Sequence, residues 1–475
     1  MTRRLALAAC LGLLATLLVP GAAHAAPVVV TNATQFTDTT GSVVHAHGGG
    51  VLKVGSFYYW FGENRNPDNS FRAVSVYRST DLRTWEFRNN VLTQSSHAEL
   101  ASANIERPKV VFNSTTGQYV MWMHKETATD YAQARAAVAT SSTVDGAYTY
   151  RGSFRPLGHM SRDITLFRDD DGIGYMISAA RENADLHVYR LSADYRTVAS
   201  LVHILWPSSW REAPAMFKRN GVYFLLTSGA TGWSPNQQRY ATATSIAGTW
   251  SALADVGDGT AFGSQTAFVL PVAGTQTTSY LYFGDRWAGA WGGRVNDSLY
   301  VWLPVQFPSA RTMSLSWSPQ VSIDTATGVV SGVGGTPYMR LVARHSGKCA
   351  DVRDGSTADR TPVIQWSCNG GTNQQWRFQD IGGGYAQIVA RHSNKCIDVS
   401  SGSTADGARL LQWPCGSGTN QQWQVQDAGG GFVRLVARHS GKCLEVISRS
   451  TSDGAELVQW ACNGGTNQQW SRPAA

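Results

Sequence analysis

Leu341-Val-Ala-Arg-His-Ser-Gly-Lys-Cys349 is followed by Ile388-Val-Ala-Arg-His-Ser-Asn-Lys-Cys396 and Leu435-Val-Ala-Arg-His-Ser-Gly-Lys-Cys443. Each copy closes on Thr-Asn-Gln-Gln-Trp, at Trp376, Trp423 and Trp470, and the period is 47 residues. A fixed period of this size marks one supersecondary unit repeated in space. Three copies are too few for an open solenoid with capped ends, so a closed threefold arrangement is predicted.

Two cysteines lie 19 residues apart in every copy: Cys349 and Cys368, Cys396 and Cys415, Cys443 and Cys462. Six cysteines at constant spacing predict a disulfide framework in an oxidising compartment. Many pairings are formally possible; the repetition favours pairing within each copy. Zinc is disfavoured, because the Cys-x2-Cys pairs it usually takes are missing. Each copy also holds a carboxylate (Asp351, Asp398, Glu445), a tryptophan (Trp366, Trp413, Trp460) and an Asn-Gln pair. A carboxylate and amides can take sugar hydroxyls, and an aromatic face packs the apolar side of a hexose. The closing tryptophans are expected in a shared core instead, since a repeat unit needs one.

In these features residues 338–475 resemble the ricin-B-type β-trefoil lectins, carbohydrate-binding module family 13. The resemblance implies sugar contacts from Asp351, Trp366, Asn373 and Gln374, from Asp398, Trp413, Asn420 and Gln421, and from Glu445, Trp460, Asn467 and Gln468. Two departures stand out. Ile364, Leu411 and Val458 occupy a position where the family often has Gln, and Glu445 replaces the usual Asp.

Residues 1–25 read as a signal peptide: Arg3-Arg4, an apolar run from Leu5 to Val19, and a cleavage signal ending Ala23-His-Ala25. A secreted, extracellular protein is therefore expected, which suits disulfides. Of seven cysteines, Cys10 leaves with the signal and the other six lie in the repeats. No later segment is apolar enough to span a bilayer, so no membrane association is expected. Charged residues make up 15% of the chain, and its net charge of +7 is spread without a Lys/Arg run. Nucleic acid is therefore a poor partner. The abundance of Gly, Trp and Tyr suits a β-rich extracellular protein.

Residues 27–325 read as short strands between Gly, Asp and Asn turns, among them Gly50–Phe61, Gln118–Met123, Val222–Thr227 and Ser279–Gly284. Evenly spaced β-runs without helical periodicity predict a sandwich, barrel or propeller, and the recurrent hairpins favour a propeller. A Gly-rich linker is expected over 326–337. Four acidic residues stand beside small or rigid neighbours: Glu63 in Phe-Gly-Glu63-Asn, Glu106 in Ile-Glu106-Arg107-Pro108, Asp163 in Arg-Asp163-Ile, and Glu212 in Arg211-Glu212-Ala-Pro214. A propeller would bring them to one axis. Two carboxyl groups flanking a glycosidic bond are what its hydrolysis requires.

These stretches, with Ala46-His-Gly-Gly-Gly50 and Tyr58-Tyr-Trp-Phe-Gly-Glu63, resemble glycoside hydrolase family 43 and, more narrowly, its exo-β-1,3-galactanase subgroup. The resemblance implies an all-β chain: a five-bladed β-propeller followed by a β-trefoil. It implies inverting hydrolysis with Glu212 as general acid and Asp163 orienting it and tuning its pKa, while Glu63 and Glu106 bind or polarise the terminal galactose and its water. Most members of the wider family carry an Asp base in blade one. Here His47-Gly48-Gly49 has none. The subgroup places a Gln instead, matching Gln265. Either Gln265 positions the water while Glu106 supplies charge, or Gln265 acts through its imidic tautomer. A separation of roughly 6.5–9.5 Å between the acid and the opposite-face group would suit inversion. Tyr131, Asn183, Trp233 and Trp287 are candidate subsite residues.

The expected protein is thus a secreted galactanase acting on β-1,3-galactan, the main chain of arabinogalactan. It is expected to be a monomer without cofactor or metal, its trefoil holding the polymer nearby. An α-L-arabinofuranosidase or β-xylosidase of the same family, and a non-catalytic sugar-binding protein, are the alternatives.

Overall fold

The structure is a computed structural model that describes residues 26–334, 338–381, 383–473 and 475. The expected signal peptide, with Cys10, lies outside the described residues. The chain divides after Val333 into two units. Both are all-β; among the described residues the only helical turns are short 3-10 segments.

Five antiparallel sheets follow one another in the first unit, beside a three-stranded sheet described below. The first is built from His47–Val54, Phe57–Arg65, Phe71–Ser79 and Glu86–Thr93. The second is Ala103–Asn113, Gln118–Thr127, Arg135–Ser141 and Thr149–Phe154. The third is Ile164–Arg168, Gly174–Ala180, Asp185–Leu191 and Val198–Leu205. The fourth is Arg211–Arg219, Val222–Gly229, Gln238–Ala243 and Ala254–Val256. The fifth is Gln265–Ala273, Thr278–Arg286 and Leu299–Val305. Every sheet is a meander, each strand pairing with the next. The opening strand of each sheet lies against the opening strand of the following one, and Gln265–Ala273 returns against His47–Val54. The five opening strands therefore close a ring.

Apolar residues fill the gaps between neighbouring sheets. Phe61, Val76, Met121 and Ala139 join the first and second sheets. Trp122, Val138, Met176 and Tyr189 join the second and third. Trp60, Leu281 and Trp302 join the fifth and first. Strands in this position are buried on both faces, which is why runs such as Val222-Tyr-Phe-Leu-Leu226 show little alternation. Val28–Thr31 pairs with Gln320–Asp324, which pairs with Val329–Val333. The stretch 326–337, expected as a linker, thus carries a strand of the first unit, and its residues 335–337 lie outside the described residues. Val329, Val330 and Val333 supply the β-propensity that the neighbouring glycines masked in the sequence.

In the second unit each copy forms a strand that starts at its first cysteine and pairs with a strand ending at its exposed-type tryptophan. Cys349–Val352 pairs with Val363–Trp366, Cys396–Val399 with Ala408–Trp413, and Cys443–Val446 with Leu457–Trp460. The first strand of the unit, Val342–Ala343, pairs with the last, Trp470–Ser471, so the arrangement closes on itself. Trp376, Trp423 and Trp470 are buried in one core with the repeated Leu, Ile and Val positions, as expected. Their indole Nε1 groups donate to the carbonyls of Ala350, Ile397 and Leu444 at 3.0–3.2 Å. The disulfides join Cys349–Cys368, Cys396–Cys415 and Cys443–Cys462, each within its own copy.

Candidate active site

A cavity of about 470 Å³ is lined by residues on or beside the strands of all five sheets, including Glu63, Glu106, Asp163, Glu212 and Gln265. Three of these carboxylates and the amide sit on or beside the opening strands. In four of the five opening strands the ladder slips near the cavity: between His47 and Gly50, Glu106 and Lys109, Glu212 and Ala215, and Thr266 and Phe268. A bulge re-aims the side chains around it. In Glu106-Arg107-Pro108 and Glu212-Ala213-Pro214 the middle residue takes φ of +50° and +51°, with a proline after it that has no N–H for the ladder. The recurrence of that context in the sequence is therefore one backbone device used twice.

Glu212 is enclosed by polar partners. Gln265 Nε2 donates to its Oε1 at 3.0 Å, and Asn183 Nδ2 donates to its Oε2 at 3.0 Å. Burial, then the neighbouring Asp163 charge, push its carboxyl up to about 8 against the opposing pull of Arg107 and Gln265. At neutral pH it carries its proton. Asp163 accepts from the Ala213 N–H at 3.0 Å, which ties it to the bulge beside Glu212, and pairs with Arg107 Nε at 2.9 Å.

Arg107 joins the remaining groups. Its backbone N–H donates to Glu63 Oε1 at 2.9 Å, and its guanidinium reaches the Thr266 carbonyl at 2.9 Å and Gln265 Oε1. Gln265 is saturated: its Oε1 also accepts from Trp287 Nε1 at 2.8 Å, and its Nε2 also donates to Ser228 Oγ at 2.9 Å. These partners fix which way the amide points. Because the amide touches Glu212, Gln265 does not stand at the separation expected of an opposite-face group; side chains on adjacent sheets of the ring bring the two together.

Glu63 and Glu106 share Arg65, at 2.7 and 3.3 Å. Burial raises the Glu63 carboxyl, with Arg65 opposing. Glu106 goes the other way. Burial acts to raise it, but His124 outweighs that and, with Arg65 and Tyr131, holds it well below the usual carboxylate range. His124 lies 3.0 Å from Glu106 and 2.8 Å from Glu126, and despite burial these two carboxylates push it up to about 9. Tyr131 Oη donates to Glu106 Oε1 at 2.6 Å. The site therefore holds one carboxylate firmly anionic and one carboxyl protonated. Such divergence within one pocket is what acid-assisted chemistry needs. Among the described residues Glu106, His124 and Asp163 lie close enough to share a cation, but each already has an ionic partner.

All of Glu63, Glu106, Tyr131, Asp163, Asn183, Glu212, Trp233, Gln265 and Trp287 line the cavity. Trp233, 46% exposed, stands edge to face with Trp287 at 5.7 Å and offers a free ring to a sugar. The sequence reading missed Arg107, His124, Arg162, Glu182 and Trp210, which also line it. Arg107, Arg162 and Trp210 were findable, as each stands within two residues of an acidic candidate. Arg211, the counterpart flank of Glu212, turns away and holds Thr227 at 2.9 Å. The missing carboxylate at Gly48 has a steric reason. A Cβ there would lie 2.4 Å from Glu63 Oε1, so Glu63 fills that space.

In the second unit the first copy forms a cavity of about 370 Å³ lined by Asp351, Gly355, Trp366 and Asn373. Asp351 Oδ2 accepts from Asn373 at 3.0 Å and from Gln374 at 2.8 Å. Asp398 repeats this with Asn420 and Gln421, both at 2.9 Å. Glu445 accepts from Gln468 at 2.6 Å, while Asn467 donates to the Val446 carbonyl. Gln374, Gln421 and Gln468 are buried. They were expected to touch sugar; instead they orient the carboxylates from beneath. Gln365, Gln412 and Gln459, part of the repeated pattern but given no role from the sequence, are buried and stitch neighbouring copies: Gln365 Nε2 donates to the carbonyls of Ser450 and Ser452 at 2.6 and 2.9 Å.

Residues 47–256 match the family described as glycosyl hydrolases family 43, and residues 337–470 match the ricin-type β-trefoil lectin domain. A solved exo-β-1,3-galactanase from Clostridium thermocellum is 49% identical, with 94% of this chain and 100% of that chain covered and a TM-score of 0.78. An exo-β-1,3-galactanase from Phanerochaete chrysosporium, solved with galactose, is 29% identical over 94% of this chain and 93% of that one, with a TM-score of 0.62. The same enzyme solved with β-1,3-galactotriose gives 29% identity, 94% and 92% coverage, and a TM-score of 0.61.

Proposed function

Since the chain belongs to glycosyl hydrolase family 43 and carries a C-terminal ricin-type lectin domain, we propose that it is a secreted exo-β-1,3-galactanase. It would release galactose from the non-reducing end of β-1,3-galactan, the backbone of arabinogalactan. On this reading the five sheets are blades of a five-bladed propeller, and residues 338–475 form a β-trefoil. The observation that carries the reading is the convergence of Glu63, Glu106, Asp163 and Glu212 on one cavity, Glu212 held by Gln265 and Asn183, and Glu106 by Tyr131 and His124.

Glu212 gives its proton to the glycosidic oxygen. Asp163 holds Glu212 through the Ala213 N–H and keeps its pKa high. Glu106 supplies negative charge to the oxocarbenium-like transition state. Glu63, lodged against Arg65 and the Arg107 N–H, binds galactose hydroxyls. Tyr131, Asn183 and Trp233 shape the subsite, Trp233 by stacking. Gln265 orients Glu212 through their direct hydrogen bond. Inversion follows as a water attacks the sugar face opposite Glu212 and passes its proton to solvent.

The lectin domain keeps the polymer near the catalytic unit and raises its effective concentration. The protein acts as an extracellular monomer, its disulfides formed after export. No helix among the described residues is long and apolar enough to cross a membrane.

Digestion of linear β-1,3-galactan with NMR of the first product tests the proposal. Galactose released as the α-anomer is expected; the β-anomer appearing first would overturn inversion. Absence of any released sugar, with binding intact, would leave a carbohydrate-binding protein. Release of arabinose or xylose from their aryl glycosides in preference to galactose would favour the other activities of the family.

A further inference from the structure

The three lectin sites differ at two positions that the repeat otherwise fixes as glycine. Gly355 lines the first cavity, and its counterparts are Gly402 and Arg449. All three end the same 3-10 turn, with φ of +61°, +59° and +52°. Arg449 thus sits in left-handed backbone that favours glycine, where an arginine is strained. Gly454 lines the first cavity from the neighbouring copy, and its counterparts are Arg360 and Gly407. Arg360 lies over the Trp413 ring, 5.4 Å from its centroid. The first site is therefore open, the second has a capped platform, and the third has an arginine at its rim.

That arginine is unengaged. Arg449 is exposed and, among the described residues, forms no hydrogen bond or ion pair. It reaches over Gly465, where a Cβ would lie 3.2 Å from Arg449 Nη2 and 2.6 Å from Asn467 Oδ1. Asn467 beneath it is only 1% exposed, and its Oδ1 has no partner. In the first two sites the matching Asn donates to the carboxylate; here that bond is absent, leaving Glu445 held by Gln468 alone. Trp460 keeps a free face at 39% exposure. The third site thus pairs an aromatic platform and a carboxylate with a free planar cation.

We propose that the third lectin site binds a carboxylate-bearing sugar, a uronic acid residue, with Arg449 as its specificity-determining group. The guanidinium takes the sugar carboxylate in a two-point contact. Glu445 takes a hydroxyl at the other end of the ring, and Trp460 packs its apolar face. The proposal rests on the reading of the repeats as sugar sites, and its test separates the two.

Of the lectin sites, full-length protein with Asp351→Ala and Asp398→Ala retains only the third, and the same protein with Glu445→Ala added gives the contribution of the catalytic cavity. Calorimetry compares methyl β-glucuronide, methyl β-galacturonide and methyl β-galactoside at low salt, with thermal unfolding as a check on folding. A uronide is expected to bind at least about tenfold tighter than the galactoside and to weaken as salt is raised, because an exposed charge contact is screened. Adding Arg449→Gly should abolish the uronide preference, and Arg449→Lys should keep part of it. Equal affinity for charged and neutral sugars, no binding by either, or a preference unmoved by Arg449→Gly would overturn the proposal. The lectin reading stands or falls separately, on whether Asp351→Ala in the otherwise unaltered protein weakens galactoside binding.

Discussion

The cavity of the first unit and the repeat sites of the second use the same parts: a carboxylate, amides and a tryptophan. Enclosure is what differs. In the repeats Asp351 and Asp398 are raised by burial, with Gln and Asn donors opposing, and the charges that reach them, Asp354 and Asp453 at Asp351 and His439 at Asp398, weigh less than those hydrogen bonds. In the cavity Glu63, Glu106, Asp163 and Glu212 share Arg65, Arg107 and His124, and the carboxyls of Glu212 and Glu106 are pushed in opposite directions. Similar side chains acquire different electrostatic settings in the two units because low-dielectric surroundings magnify each charge on its neighbours.

The contrast breaks most sharply at Glu212. Glu212→Gln should lower turnover of β-1,3-galactan by roughly 10²–10⁴-fold, the usual worth of a general acid, with lectin-mediated binding unchanged in a pull-down on the insoluble polymer. Comparable turnover by the variant would remove Glu212 from the acid role. Arg107→Met should lower kcat by on the order of 10²-fold, as expected when a group that positions several others is lost. It should also move the alkaline limb of the kcat/KM profile upward, because Arg107 pulls the Glu212 carboxyl down.

The pH profile sharpens the comparison. Turnover needs protonated Glu212, so activity should fall as pH passes about 8. Asp163→Asn should shift that fall to lower pH, since the Asp163 charge raises Glu212. A stability effect accompanies it. His124 is raised from 6.5 to about 9 in the folded protein, so its stabilising contribution is full below pH 6.5 and lost as pH rises through about 9. Thermal melts of wild type and His124→Asn should therefore converge at high pH.

The smaller effects fall on the second unit. Replacing Cys349 and Cys368 together by Ser should cost on the order of 3 kcal/mol for a loop of this length. Only the lectin transition should move in calorimetry, because the described cysteines all lie there. Asp351→Ala should weaken retention on galactan severalfold, with hydrolysis of a short soluble oligosaccharide unchanged.

Much of this was legible in the chain. The 47-residue period, its cysteines and its closing tryptophans foretold closure, intra-repeat disulfides and a shared core, because each property repeats within a local stretch. Turn residues and β-rich runs marked the strands of the first unit for the same reason. The acidic candidates were visible because proline and small neighbours mark bulges. What remained hidden depends on separation in the chain. Arg107 and Gln265 are 158 residues apart, and Glu63 and Arg107 are 44 apart, so no local pattern announces either contact. Burial of Gln374 and its counterparts likewise follows from how three copies stack, which made them look like sugar ligands when read singly.

The sequence by itself determined the two units, the threefold repeat, the cysteine framework and the identity of the acidic residues, since these follow from composition, period and turn chemistry along the chain. Only the tertiary structure decided that Glu212 keeps its proton while Glu106 loses its own, that Gln265 touches the acid, and that Arg360 and Arg449 make three similar repeats into three different sites. The physical reason is common to all of them. A charge, an amide orientation or an open ring face is set by its neighbours in space, and those neighbours come from distant parts of the chain.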